Sequence, residues 1–199
     1  MKKDKKITAA ELMAQLEANP EFVAKRSQAE REHQEREKEL HIAETPLLQD
    51  LAKVGFLVDS VWALVNTADP YSPALPTLLE HLPREYPAPV REGIARALAL
   101  PAAKFGRSLL ISQYKSEQEP RVKDAMAAAI AATADDEVIV DIIALARDKR
   151  HGPSRLLLLS ALECSDTAQA QEALILLQDD DELEKEITTI LRRRKNRFH

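Results

Sequence analysis

The sequence predicts an all-α protein, a stack of about five short helix pairs with a charged helical arm at its amino end. Three observations carry that reading. An amphipathic register, Val90, Arg91, Ile94, Ala97, Leu98, returns thirty-two residues later as Val122, Lys123, Met126, Ala129, Ile130, and again as Ser154, Arg155, Leu158, Ala161, Leu162. A period of that length filled with helical pattern marks units too small to bury their own apolar faces. Second, aromatic residues make up only 4% and there are four glycines among 199 residues, which disfavours a sheet-rich fold. Third, prolines at 89, 120 and 153 sit just before or at the start of each inner helix, where the missing N–H costs least.

In chain order, Thr8 and Glu11 have the form of a capping box, and Leu12, Met13 and Leu16 share one helical face. Asn19 is a natural N-cap with Pro20 in the first turn, so a second helix starts there. From Lys25 to Glu39 that helix is almost wholly polar, with only Ala29 to offer a core. It relies instead on pairs such as Glu21 with Lys25 and Glu32 with Arg36, each worth about 0.2 to 0.5 kcal/mol. Residues 1–43 therefore form a charged arm and 44–199 the repeat domain.

The first pair takes Thr45–Lys53 as its outer helix and, after Gly55, Phe56–Asn66 as its inner one. The second takes a helix ending at Leu82 and then the organising helix, Pro89–Leu100; the third takes Ala103–Tyr114 and Arg121–Thr133. Alanine-rich runs at 95–99 and 125–132 allow close approach of neighbouring helices. The fourth pair takes Glu137–Asp148, capped by Asp135 or Asp136, and Arg155–Glu163. The fifth takes Ala168–Gln178, an acidic turn at 179–181, and a last helix through Leu183, Ile187, Ile190 and Leu191 that ends in Arg192, Arg193, Arg194, Lys195 and Arg197.

The residues Pro89, Val90, Arg91, Ala95, Ala97 and Leu98, with Pro120, Val122, Lys123, Ala129 and Ile130, and with Pro153, Arg155, Ala161 and Leu162, resemble the HEAT-repeat family. The likeness is to its short bacterial, phycobilisome-lyase-like form, and it covers roughly residues 45–195. It implies a right-handed α-solenoid of HEAT-like pairs and a surface for binding another protein. Two positions depart from the pattern: Ser154 replaces an apolar residue, and Glu184 replaces the basic residue in the fifth repeat.

Arg91, Lys123 and Arg155 recur in phase and form a ladder along the inner helices. They either tie neighbouring carbonyls and acidic turns together or line a surface for an acidic partner. With Glu32 and Arg36 of the arm they are the candidate partner-binding residues. His33, Glu37 and His41 fall on one helix face, a spacing that can hold a surface metal but that a highly charged helix produces as a solvated face. The run 179–182 lacks the glycine and alternating ligands of a calcium loop and reads as a turn and cap. Cys164 follows an apolar helix and reads as a small buried side chain, and a single cysteine is compatible with a reducing compartment. The terminal basic residues complement a helix carboxyl end. Neither a phosphate-binding glycine loop nor a nucleophile elbow occurs, so no catalytic, cofactor or metal residues are assigned.

The resulting expectation is a cytoplasmic, non-catalytic protein-binding module without membrane segment or secretion signal. Its small size and net charge of -5 suggest a bacterial immunity or inhibitor protein that covers a basic toxin enzyme. The alternative that the resemblance implies is a DNA-repair protein similar to HEAT-like alkylpurine DNA glycosylases. It needs a basic face and a carboxylate beside an aromatic ring, for which Asp59 and Trp62 are the one pairing available. Residues 84–199 carry 18 basic and 19 acidic side chains, a balance that disfavours nucleic acid. A lyase-like role on a tetrapyrrole is a third, weaker implication of the same resemblance.

Overall fold

A computed structural model describes residues 8–197, except the side chains of residues 10, 11, 14, 15 and 197. The Glu11 half of the capping box and the Arg197 side chain thus lie outside the described residues. Among the described residues the protein is all-α: eleven α-helices and four short 3₁₀ turns, with no strand. No helix among them is long and apolar enough to cross a membrane. The chain divides into two compact units, 1–42 and 43–199.

The first unit contains α1 (Ala9–Glu17) and the beginning of α2 (Pro20–Lys53). The Asn19 carboxamide oxygen accepts from the Glu21 amide at 3.0 Å, the N-cap contact expected at this position. No residue between 20 and 42 is buried. The side chains pair along the helix instead: Arg26 with Glu30 at 3.2 Å, Gln28 with Glu32 at 2.9 Å, His33 with Glu37 at 3.2 Å. Glu32 and Arg36 do not form the expected ion pair, because Gln28 occupies the carboxylate and the Arg36 guanidinium turns to the Glu32 carbonyl at 3.2 Å.

In the second unit, residues 43–53 complete α2 and bury Leu47 and Leu51; no separate helix begins at Thr45. The next helix is much shorter than its apolar spacing suggests, a single turn α3 (Trp62–Val65). Gly55 ends α2 with φ of 94°, a left-handed conformation, and the Glu44 carboxylate accepts from the Val61 amide and from the Ser60 hydroxyl. Those bonds hold 56–61 as a bend outside the helix. Leu57 is 88% exposed there.

The remaining helices alternate between two rows. α5 (Ala88–Ala97), α7 (Pro120–Ala132), α9 (Arg155–Cys164) and α11 (Glu184–Arg197) follow α3 in one row, each packed against its predecessor. α4 (Leu75–His81), α6 (Arg107–Ser116), α8 (Ile139–Arg147) and α10 (Ala168–Leu176) alternate with them in sequence, and each packs on a helix of the first row or, for α10, also on α8. The core lies between the rows, with Ile94, Leu98, Leu110, Met126, Ile130, Ile142, Leu158 and Leu162 wholly buried. Each such side chain contributes about 1.5 to 3 kcal/mol relative to exposure. α5 and α7 form the most extensive helix contact, and small residues there, Ala95 and Ala97 with Ala125 and Ala129, are wholly buried. Gly93 extends that logic to α3, since a β-carbon on it would come 2.4 Å from Val61 and 3.2 Å from the Trp62 indole nitrogen.

Polar bonds join the units of the stack at intervals close to its period. Tyr71 donates its hydroxyl to the Ala97 carbonyl at 3.0 Å, and Arg107 grips Asp135 with two bonds of 3.0 and 2.7 Å. Ser165 donates to Asp136 at 2.7 Å, and Arg194 donates to the Leu162 carbonyl at 2.8 Å. Asp135 and Asp136, expected as helix caps, thus have their side chains bonded across the stack.

Candidate functional site

The three cations in phase occupy equivalent backbone positions and have different surroundings. Arg91 is half-buried and pairs with Glu117 in the turn between α6 and α7, one repeat further on. Lys123 donates to the Glu117 carbonyl at 3.1 Å and lies 5.3 Å from the centre of the Tyr114 ring. Arg155 is fully buried. Its guanidinium has five N–H donors, and five bonds leave it: to the Gly152 carbonyl at 3.1 Å, the Ala146 carbonyl at 3.1 Å, Asp180 at 2.9 and 3.3 Å, and Glu182. No donor remains for a partner, so the expectation that Arg155 lines a binding surface is corrected; it ties the turn between α10 and α11 to α9. Its field and hydrogen bonds hold the Asp180 carboxyl down at about 2. Ser154, the apolar position that departs from the pattern, is buried and bonded to the Tyr114 hydroxyl at 2.8 Å and the His151 carbonyl at 2.8 Å.

The side of the first row that faces away from the core is built from other residues. At 100° per residue Glu92 and Arg96 lie opposite Ile94 on α5, and the same positions become Asp124 and Ala128 on α7, then Leu156 and Ser160 on α9. Arg96 donates to Glu92 at 2.8 Å. The Asp124 carboxyl is raised above its ordinary range, first by burial and then by the Glu92 charge, with Arg96 opposing. One end of the strip is a recess of about 530 Å³ in which Trp62 meets Glu92, Glu119 and Arg121. The other is a groove of about 300 Å³ between α9 and α11, floored by Leu156, Leu157 and Ile190 and edged by Glu163 and Glu186. Leu156 and Leu157 are 36% and 39% exposed. Arg193 is held by Glu163 at 3.3 Å and Glu186 at 3.6 Å, as Arg96 is by Glu92, so the strip keeps an excess of carboxylate. It can receive a surface that combines cations with apolar side chains.

The other sequence candidates are placed as follows. Asp59 lies in the bend before α3 and does not share a helix with Trp62, whose indole N–H is donated to the Pro89 carbonyl at 3.2 Å. His33 is paired with Glu37, and no group of three or more metal-binding side chains occurs among the described residues. Cys164 is exposed at the end of α9, where the apolar stripe has run out, and is not the buried side chain expected. Of the acidic turn, Asp180 is buried against Arg155. Of the terminal cations, Arg193 and Arg194 reach back to α9 and the residues just after it.

Comparison of the chain with protein-family models, with curated proteins and with solved structures finds no match in any of the three.

Proposed function

We propose that the chain is a protein-binding module without catalytic activity, built as a right-handed HEAT-like solenoid of about five helix pairs. Its partner is a basic protein that docks on the strip formed by α5, α7 and α9. The carrying observation is the row Glu92, Asp124, Leu156, in which equivalent repeat positions place two half-buried carboxylates and then an exposed apolar patch along one face. Carboxylates steer a cationic partner and set its register, while Trp62, Leu156 and Leu157 supply area to desolvate. In concrete form the module is a cytoplasmic bacterial immunity or inhibitor protein covering a basic toxin enzyme.

Affinity capture from the native host tests this. The full chain, immobilised, should retain a basic protein in stoichiometric amount, and the double variant Glu92→Arg, Asp124→Arg should lose it while keeping the helical circular dichroism of the parent. Retention of nucleic acid that survives protease, or equal capture by the double variant, contradicts the proposal.

A further inference from the structure

A second concavity lies on another side of the repeat unit. It measures about 690 Å³ and is lined by residues of α6, α7, α8 and the turn Lys149–Ser154. Lys115, Lys123, Arg150 and His151 face it, together with Asp141 and Asp148. These charges are not equally available. Asp148 and Arg150 neutralise one another through side-chain bonds of 2.9, 3.1 and 2.6 Å. Lys123 spends one N–H on the Glu117 carbonyl and keeps two. Lys115 stands exposed in the last turn of α6.

The floor of the cleft is preorganised. Gly152 adopts φ 60° and ψ −146°, a conformation open essentially to glycine alone, and turns the chain so that His151 packs on Tyr114 with ring centres 4.6 Å apart. Tyr114 is anchored through its hydroxyl to Ser154 at 2.8 Å. The His151 ring is buried, with Nε2 3.8 Å from the nearer Asp148 oxygen, beyond hydrogen-bond distance. Its ordinary pKa is lowered by burial and then by Lys123, with Arg150 and Lys115 acting the same way and Asp148 opposing. The field at the ring is therefore positive. Among the elements packed against this turn, α7 brings Lys123, α8 brings Asp141 and Arg147, and α9 brings Arg155, which is saturated by its own acids.

We propose that this cleft binds a phosphate group, with Lys115, Lys123 and His151 as its donors. A dianion matches two available ammonium groups and an imidazole that gains a proton when negative charge arrives. The volume exceeds that of phosphate alone, and Ile111, Ala144 and Leu145 supply an apolar wall for an organic remainder. The site is distinct from the acidic strip, so either can fail without the other.

The test is a titration of the full chain followed by the His151 imidazole proton resonances, assigned with His151→Gln. Inorganic phosphate and phenyl phosphate are compared with chloride at equal ionic strength. The expected result is saturable binding of phosphate with the His151 resonances moving toward the protonated form, and no such movement with chloride. Tighter binding of phenyl phosphate identifies an organic monoester as the source; equal binding identifies free phosphate. Lys115→Met should weaken binding about tenfold, the value of one charge-assisted hydrogen bond, and Lys123→Met by at least as much. Lys185→Met, exposed on α11, serves as the charge-matched control and should leave binding unchanged. Sulfate, whose charge does not titrate, should bind more weakly as pH rises and His151 loses its proton. No saturable response, the same response to chloride, or wild-type affinity in Lys115→Met overturns the site.

Discussion

The arm at 20–42 and the repeat unit at 43–199 are both rich in charge, and the charges do different things. In the arm the ion pairs lie four residues apart on one exposed helix, as with Arg26 and Glu30, whose side chains are 56% and 60% exposed. In the repeat unit local pairs such as Arg96 with Glu92 also occur, but others lie about a repeat apart and join helices. Arg155 and Asp180 are separated by 25 residues and are 0% and 8% exposed. An exposed pair exchanges water for another ion at small net gain, whereas a buried guanidinium left without its acids keeps the whole desolvation cost. The same residue types therefore solubilise one region and set the geometry of the other.

The sharpest way to break this comparison is Arg155→Ala. It leaves the buried Asp180 carboxylate only the Lys149 ammonium at 3.6 Å and the Glu182 amide, and should lower unfolding stability by about 3 kcal/mol in urea denaturation. The double variant Arg155→Met, Asp180→Leu should recover part of that loss, because no unpaired charge remains inside. Gly152→Ala comes next, at about 1 to 3 kcal/mol, since alanine cannot adopt the turn's φ and ψ without strain. Acid provides the third test. The Asp180 pKa is depressed to about 2, so its contribution is fully present above the ordinary carboxylate range and disappears as pH falls through about 2. Stability should drop between about pH 4 and pH 2 in the parent and less steeply in the Arg155→Met, Asp180→Leu variant. Smallest of all, Arg26→Ala in the arm should leave the unfolding midpoint of the repeat unit unchanged within the precision of the measurement.

The sequence made the repeat legible because each inner helix repeats the same outline in its buried side chains. Val90, Val122 and Ile94, Met126, Leu158 are all buried at equivalent positions. The in-phase cations were legible too, but their partners were not. Nothing local to Arg155 points to Asp180 or Glu182, because the contact depends on how far one helix pair is displaced from the next. The bend at 56–61 is hidden in the sequence for a related reason. Leu57, Val61 and Trp62 keep helical spacing, yet the Glu44 carboxylate, seventeen residues before Val61, holds the amide that starts α3. Cys164 falls two residues past Leu162, the last apolar position of its helix, a margin that periodicity does not resolve. The strip at Glu92, Asp124 and Leu156 could have been found by reading the same register two residues later. The cleft at His151 could not, since it assembles side chains from four elements.

The most direct test of the binding account is amide hydrogen exchange on the full chain, free and in complex with the basic protein captured from the host. Slower exchange is expected along α5, α7 and α9 and in α3 next to Trp62, with residues 20–42 unchanged. Protection confined to residues 20–42, with α5, α7 and α9 exchanging as in the free chain, would contradict the account.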